Sequence, residues 1–190
     1  MNTVDKKGDF MLIGDKINLT ALQKDDLEMI RQWRNQYKHN FYDESYITKE
    51  KQREFYNNLQ QSSDYFFIIR LKDNTPVGTI ALYDLRLDDR SATLGRFLLL
   101  DNYRGQGIAT EAVNLITELA DRIRLWKIRV DCKEDNIDAI RVYERCGYIR
   151  REIICFERIN HKHDWNIPMK VSSYDDLSPD GYEGTCSNVR

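Results

Sequence analysis

The chain has 190 residues, with 29 Lys and Arg against 31 Asp and Glu, for a formal net charge of −2 and a sequence pI near 6.0. That balance excludes a dedicated nucleic-acid binder, which carries a basic excess, and a polybasic membrane-surface protein. A hydrophobic fraction of 41% suits a globular domain long enough to bury its own core without disulfides or metal.

The first nine residues hold no apolar run of signal-peptide length, and no stretch reaches the roughly 18 apolar residues of a membrane helix. Cys132, Cys146, Cys155 and Cys186 form no Cys-x-x-Cys pair. The expectation is a cytoplasmic protein with reduced thiols. Residues 1–10 and 172–190 are polar and poor in large apolar groups, so they are expected as flexible ends around one domain over 11–171.

Period-two alternation predicts a strand over Lys16–Leu22, and three-to-four spacing of Leu27, Ile30 and Trp33 or Arg34 predicts a helix over Asp25–Asn35. Thr48 has the position of an N-cap for a second helix ending near Gln61. Tyr65–Ile69, Val77–Leu82 and Thr93–Leu100, separated by turn signals at Asp73–Pro76 and Asp88–Arg90, predict an antiparallel meander. The pattern then alternates. A long amphipathic helix covers Gly107–Ile123, a strand Lys127–Cys132, a helix Asn136–Cys146, a strand Tyr148–Phe156 and a last strand Trp165–Val171. Hairpins followed by βαβα predict an α/β (α+β) domain with a mixed, mostly antiparallel sheet of about six or seven strands and about four helices on its faces.

Chemistry concentrates after the third meander strand. Leu98-Leu99-Leu100 runs into Asp101-Asn102-Tyr103-Arg104-Gly105-Gln106-Gly107, which opens directly into the long helix. The first amides of a helix lack intrahelical acceptors and sit at its positive end, which makes an anion site. Gly105 and Gly107 remove Cβ atoms where a phosphate would approach the backbone, and Arg104 can add charge-assisted hydrogen bonds. Gly105-x-Gly107-x-x-Thr110 also approaches the dinucleotide fingerprint, with Asp131 about where a ribose-binding acid is expected. Thr110 in place of the third glycine, Arg104 in the turn and hairpins upstream disfavour that reading. Downstream, Asn136 is an N-cap and Gly147 a C′ glycine, and Tyr143 falls on the packed face with Ala139, Val142 and Cys146. A buried tyrosine hydroxyl needs a partner or a job.

Together these segments resemble the GNAT superfamily of N-acetyltransferases. Its acetyl-CoA motif, Arg/Gln-x-x-Gly-x-Gly/Ala, is met by Arg104-Gly105-Gln106-Gly107-Ile108-Ala109. Its downstream pattern is met by Asn136, Ala139, Tyr143, Gly147 and Tyr148. The resemblance implies that the backbone from Gly105 through Gln106, Gly107, Ile108 and Ala109 to Thr110, with Arg104, holds the CoA pyrophosphate. It also implies that the backbone of Phe97 and Leu99 pairs with pantetheine and polarises the thioester carbonyl. Asn136 is implied near the cofactor and Tyr143 as the acid that protonates the departing thiolate. The proline that the family usually has near Asp101 is missing here. Candidates for a base, by residue type alone, are Glu44, Asp131, His161 and His163.

His161-x-His163-Asp164 puts two histidines on one strand face, yet no second ligand cluster accompanies them, so no metal is expected. Leu22–Leu27 resembles the branch with ribosomal-protein and spermidine acetyltransferases. Trp33-Arg34-Asn35, and more loosely Gly95-Arg96-Phe97, resemble segments of nucleotide-amino-sugar N-acetyltransferases. Trp33, Arg34 and Arg96 are therefore candidate acceptor-binding residues, with a diphosphate as the partner of either arginine. The expected partner is a small-molecule amine, with a homodimer left open. Acetylation of a polyamine or a protein N-terminus, and CoA binding without turnover, remain as alternatives.

Overall fold

The computed structural model describes residues 10–150 and the backbone of 155–159. Eight strands make one sheet: β1 (Met11–Ile13), β2 (Ile17–Ala21), β3 (Tyr65–Leu71), β4 (Pro76–Arg86), β5 (Ser91–Leu99), β6 (Lys127–Asp131), β7 (Ile149–Arg150) and β8 (Cys155–Ile159), in the order β1-β2-β3-β4-β5-β6-β8-β7. Among the described residues only β5 and β6 pair in parallel, with helix α3 (Ile108–Arg122) in the connection between them. The remaining helices are α1 (Leu27–Gln36), α2 (Lys49–Gln61) and α4 (Ile137–Arg145).

The uninterrupted apolar run Tyr65–Ile69 is explained by burial on both faces. Phe67 and Ile69 join a core with α3 and α4, while Phe66 and Ile68 join a second core with α1 and α2. Helix α3 has Ile108, Ala112, Leu115, Ile116 and Leu119 on its buried side, as its period demands. The predicted caps are present. Thr48 Oγ1 accepts from Lys51 N at 3.3 Å, Asn136 Oδ1 accepts from Ala139 N at 3.2 Å, and Gly147 takes φ +80 after α4.

The sheet exceeds the expected six or seven strands because β1 and β7 are too short to show a period. The single strand predicted over Tyr148–Phe156 is two strands paired antiparallel, with Ile149 opposite Glu157. The sequence between the two strands, residues 151–154, contains no Gly or Pro. The predicted strand Trp165–Val171, the polar ends 1–9 and 172–190, and the His161 and His163 motif lie outside the described residues. Among the described residues no helix is long and apolar enough to cross a membrane.

One irregularity positions everything that follows. Thr79 pairs with Leu98 and Ala81 with Gly95, so Ile80 faces two residues, Arg96 and Phe97. This is a β-bulge, with Arg96 at φ +48 and its carbonyl held by the Thr79 hydroxyl at 2.9 Å. The β5–β6 pairing runs from Ser91/Lys127 to Leu94/Val130 and stops where the bulge begins. Past Leu94, among the described residues, β5 pairs with β4 on one side and with no strand on the other.

The sheet and α1 are also joined by an ion pair with little solvent access. Arg70 Nη2 lies 2.6 Å from Asp26 Oδ1, with side-chain exposures of 17% and 11%, while Asp26 Oδ2 accepts from Gln23 N at 3.1 Å. Removing one charge leaves the other poorly solvated. Asp26→Asn is expected to cost about 2–3 kcal/mol, lowering Tm by roughly 5–10 °C in thermal unfolding. An Asp26→Leu/Arg70→Met double variant should recover most of the loss.

Candidate functional site

The bulge decides which backbone groups are open. Leu100 N donates to Val77 O at 3.0 Å, so by strand alternation Leu98 and Leu100 turn their amides and carbonyls to β4. Phe97 and Leu99 therefore direct theirs to the side that β6 has left. At that opening lies a cavity of about 460 Å³ lined by Gly95–Leu98 of β5, by Asp131 at the end of β6 with Cys132 and Lys133 beyond it, and by Asn136, Ala139 and Tyr143. Its opposite wall comes from α1, α2, β4 and residues 40–43.

Beyond Leu99, a 3-10 turn over Asp101–Tyr103 leads to the glycine loop. Gly105 and Gly107 take φ +73 and +81, conformations that a Cβ would strain. The N-cap of α3 is Gly107, so no capping side chain accepts from the first helical amides, those of Ile108, Ala109 and Thr110. A Cβ on Gly105 would meet nothing within 4 Å, so the loop has an open face. The fit to a pyrophosphate is good: uncapped donors, left-handed glycines and free space at one helix start. Arg104 is exposed beside this loop, with Nη2 3.0 Å from Asp101 Oδ1. Gln106 donates from Nε2 to Asn102 O at 2.9 Å. Ile108 points its side chain into the core, leaving only its backbone for a ligand.

Tyr143 lines the cavity yet is only 3% exposed, with its ring 6.0 Å from that of Tyr148. The Tyr148 hydroxyl shares a 3.0 Å hydrogen bond with Thr117 on α3. Burial pushes the Tyr143 hydroxyl pKa well above its ordinary value, so this group stays protonated at neutral pH. Asn136 lines the same cavity but commits its Oδ1 to capping α4.

The lining of the cavity is unevenly charged. Arg34, Lys51, Arg96 and Lys133 line it against Asp43 and Asp131. Lys133 is 3.2 Å from Glu44, which also meets His39 at 2.6 Å, and these two contacts hold the Glu44 carboxyl below its ordinary range. Arg96 is enclosed by the rings of Tyr83 and Phe55, at 4.5 and 5.1 Å from their centroids. Gly95 permits this packing, since a Cβ there would sit 3.1 Å from the Tyr83 ring. Arg34 lies 3.8 Å over the Phe41 ring and donates from Nη2 to the Asp43 carbonyl, while its Nη1 is buried with no hydrogen-bond partner. Burial lowers the pKa of both guanidiniums, an electrostatic cost that a bound anion would offset.

Of the candidates named from sequence, the structure brings Arg34, Arg96, Phe97, Asn136 and Tyr143 to one cavity, whereas Leu99 and Arg104–Thr110 are not among its lining residues; Arg104–Thr110 form the loop after β5 and the start of α3. Trp33 is not brought there: Ile30 and Arg34 share the helix face toward the cavity, and Trp33 sits about 100° around from Arg34. Sequence reasoning missed the aromatic walls Phe41, Phe55 and Tyr83. The one available signal was Gly95 inside a strand, a mark of close approach. Among the described residues no group of three or more His, Cys, Asp or Glu is placed to hold a metal ion.

A family model for the acetyltransferase (GNAT) domain matches residues 16–149. A probable N-acetyltransferase, YjcK, of Bacillus subtilis (strain 168) is 31% identical over 118 residues, covering 58% of this chain and 64% of that protein. The chain thus spans less than two thirds of that relative's length. Glucosamine 6-phosphate N-acetyltransferase 1 of Dictyostelium discoideum is 24% identical over 117 residues, covering 58% of this chain and 73% of that one. The crystal structure of spermidine N-acetyltransferase from Vibrio cholerae, in complex with CoA and spermine, superposes with a TM-score of 0.69 at 20% identity, over 77% of this chain and 96% of the other. With the matched region containing the meander, the glycine loop and α4, the chain belongs to the acetyltransferase (GNAT) domain family.

Proposed function

We propose that this protein moves an acetyl group from acetyl-CoA to a primary amine on a small molecule that also carries an anionic group, as an amino-sugar phosphate or a nucleotide-linked amino sugar does. The observation that carries the reading is the convergence, past the Arg96 bulge, of an open strand edge, an uncapped helix start and a buried tyrosine hydroxyl. In this reading the amides of Gly105–Thr110 and the Arg104 guanidinium hold the pyrophosphate, and Asn136 stands beside the pantetheine arm. The open amides and carbonyls of Phe97 and Leu99 pair with that arm. An amide so fixed can donate to the thioester oxygen as it gains negative charge, in a site that reorganises little.

The acceptor amine must attack in its neutral form. For a simple alkylamine with a pKa near 10, deprotonation costs about 4 kcal/mol at pH 7, and the electron-withdrawing oxygens beside the amine of an amino sugar lower that cost. Arg34 and Arg96 reduce this cost, because nearby like charge disfavours the ammonium form. Glu44 is already occupied by Lys133 and His39, so no base is assigned to it. The amine proton leaves through the open mouth of the cavity. The nitrogen bonds to the acetyl carbon, the C–S bond breaks, and Tyr143 gives its proton to the departing sulfur before being reprotonated from solvent.

Tyr143 is needed protonated and its pKa is raised, so it imposes no loss of activity below about pH 10. The log of kcat/KM for the acceptor should rise with slope one as the amine deprotonates. Tyr143→Phe should lower kcat about 10²-fold and leave the Kd for CoA within twofold in calorimetry. An unchanged kcat would remove Tyr143 as the acid.

Acceptor class is testable by acetyl transfer to glucosamine 6-phosphate, a uridine-diphosphate amino sugar, unphosphorylated glucosamine, spermidine and a peptide amine. Phosphate-bearing amines should exceed glucosamine in kcat/KM by about 10–100-fold, and Arg34→Gln should erase most of that ratio. Spermidine or the peptide as the fastest acceptor would contradict the anionic assignment. CoA binding with no turnover on any acceptor would leave a binding module.

A further inference from the structure

Lys16 stands at the exposed turn between β1 and β2, remote in sequence from the glycine loop. Its ammonium nonetheless donates to the Gln106 carbonyl at 2.8 Å. A Cβ built on Gly107 would lie 3.2 Å from the same nitrogen. A surface lysine normally samples many rotamers, but the backbone that carries this one is held on several sides. Glu111 Oε1 accepts from Lys16 N at 2.9 Å and from Ile17 N at 3.4 Å. Gly14 N donates to Ile17 O at 2.9 Å, and the Lys72 ammonium donates to the Gly14 carbonyl.

Glu111 belongs to the first turn of α3, so one carboxylate ties the β1–β2 turn to the helix start. Gly14 makes room for it, since a Cβ there would stand 2.2 Å from Glu111 Oε1. The arrangement also limits a conflict: a carboxylate so near an anion site would repel a phosphate, and two backbone amides partly offset its charge. An ammonium has three donors. Gln106 takes one, and two remain beside the uncapped amides.

We propose that Lys16 is a second cationic ligand for the phosphates of CoA, beside Arg104, and that Glu111 is the residue that positions it. This rests on the acetyl-CoA reading above and concerns affinity for the phosphate end, separate from the chemistry at Tyr143. Lys16 should therefore act on binding of phosphate-bearing ligands and leave the transfer step alone.

The test is calorimetric titration of CoA and of adenosine 3′,5′-bisphosphate into wild type, Lys16→Met, Glu111→Ala and the double variant, beside steady-state rates with acetyl-CoA and with S-acetylpantetheine, which lacks the phosphates. Lys16→Met should raise the Kd for CoA about tenfold, make its salt dependence shallower, and leave kcat and the KM for S-acetylpantetheine unchanged. Glu111→Ala should weaken CoA in the same direction, and the double variant should be no worse than Lys16→Met alone. An unchanged Kd in Lys16→Met, with wild type binding CoA, overturns the assignment. Equal weakening toward S-acetylpantetheine shows a general structural effect and overturns it too. Additive losses in the double variant overturn the positioning role of Glu111. Wild type failing to bind CoA removes the cofactor reading itself, and this inference with it.

Discussion

The site depends on one extra residue in β5. Arg96 occupies a left-handed backbone conformation that costs a non-glycine residue about 1–2 kcal/mol. Two features offset it: the Thr79 hydroxyl on the Arg96 carbonyl, and the rings of Tyr83 and Phe55 around the guanidinium. The consequence is topological. A bulge bends its strand and increases local twist, and the parallel pairing with β6 ends at the same point. An interior strand thus gains a free edge inside the protein, where unpaired amides are otherwise costly. That edge is what a ligand with an amide-rich arm can complete.

The same bulge links the two halves of the proposed reaction. Its backbone side leaves Phe97 and Leu99 open for the proposed cofactor, and its side chain sets a cation in the cavity proposed for the acceptor. Arg34 adds a second, with Nη1 buried and unpartnered. In the proposed reading such a cavity suits an anion-bearing amine better than a polycation, although a spermidine acetyltransferase shares the fold. Fold likeness at 20% identity fixes the scaffold, whereas the charge of the lining residues distinguishes one acceptor from another.

Much of the scaffold was legible because it rests on local signals. Thr48, Asn136 and Gly147 mark helix ends through their own hydrogen bonds or backbone freedom, and the β3–β5 meander is bounded by turn residues. The glycine loop was legible for the same reason: Gly105 and Gly107 adopt the left-handed conformations that their type permits. What escaped depends on pairing between distant segments. A positive φ at an arginine leaves no trace in composition. The reversal between β7 and β8 has no turn residue to announce it. Trp33 and Arg34 were named together from one resembling segment, yet helical phase turns only Arg34 toward the cavity. Lys16 reaches the loop only because β2 and α3 pack side by side in the folded chain.

The central claim is that the free edge of β5 and the uncapped start of α3 form one continuous cofactor surface. Amide hydrogen exchange with and without CoA, resolved to single residues, tests it most directly. The account predicts slowed exchange on CoA binding at Phe97 and Leu99 together with the loop amides from Gly105 to Thr110, while the β4-facing amides of Leu98 and Leu100 change little. Protection confined to another surface, or CoA binding with the amides of Phe97, Leu99 and the loop all unaltered, would contradict it.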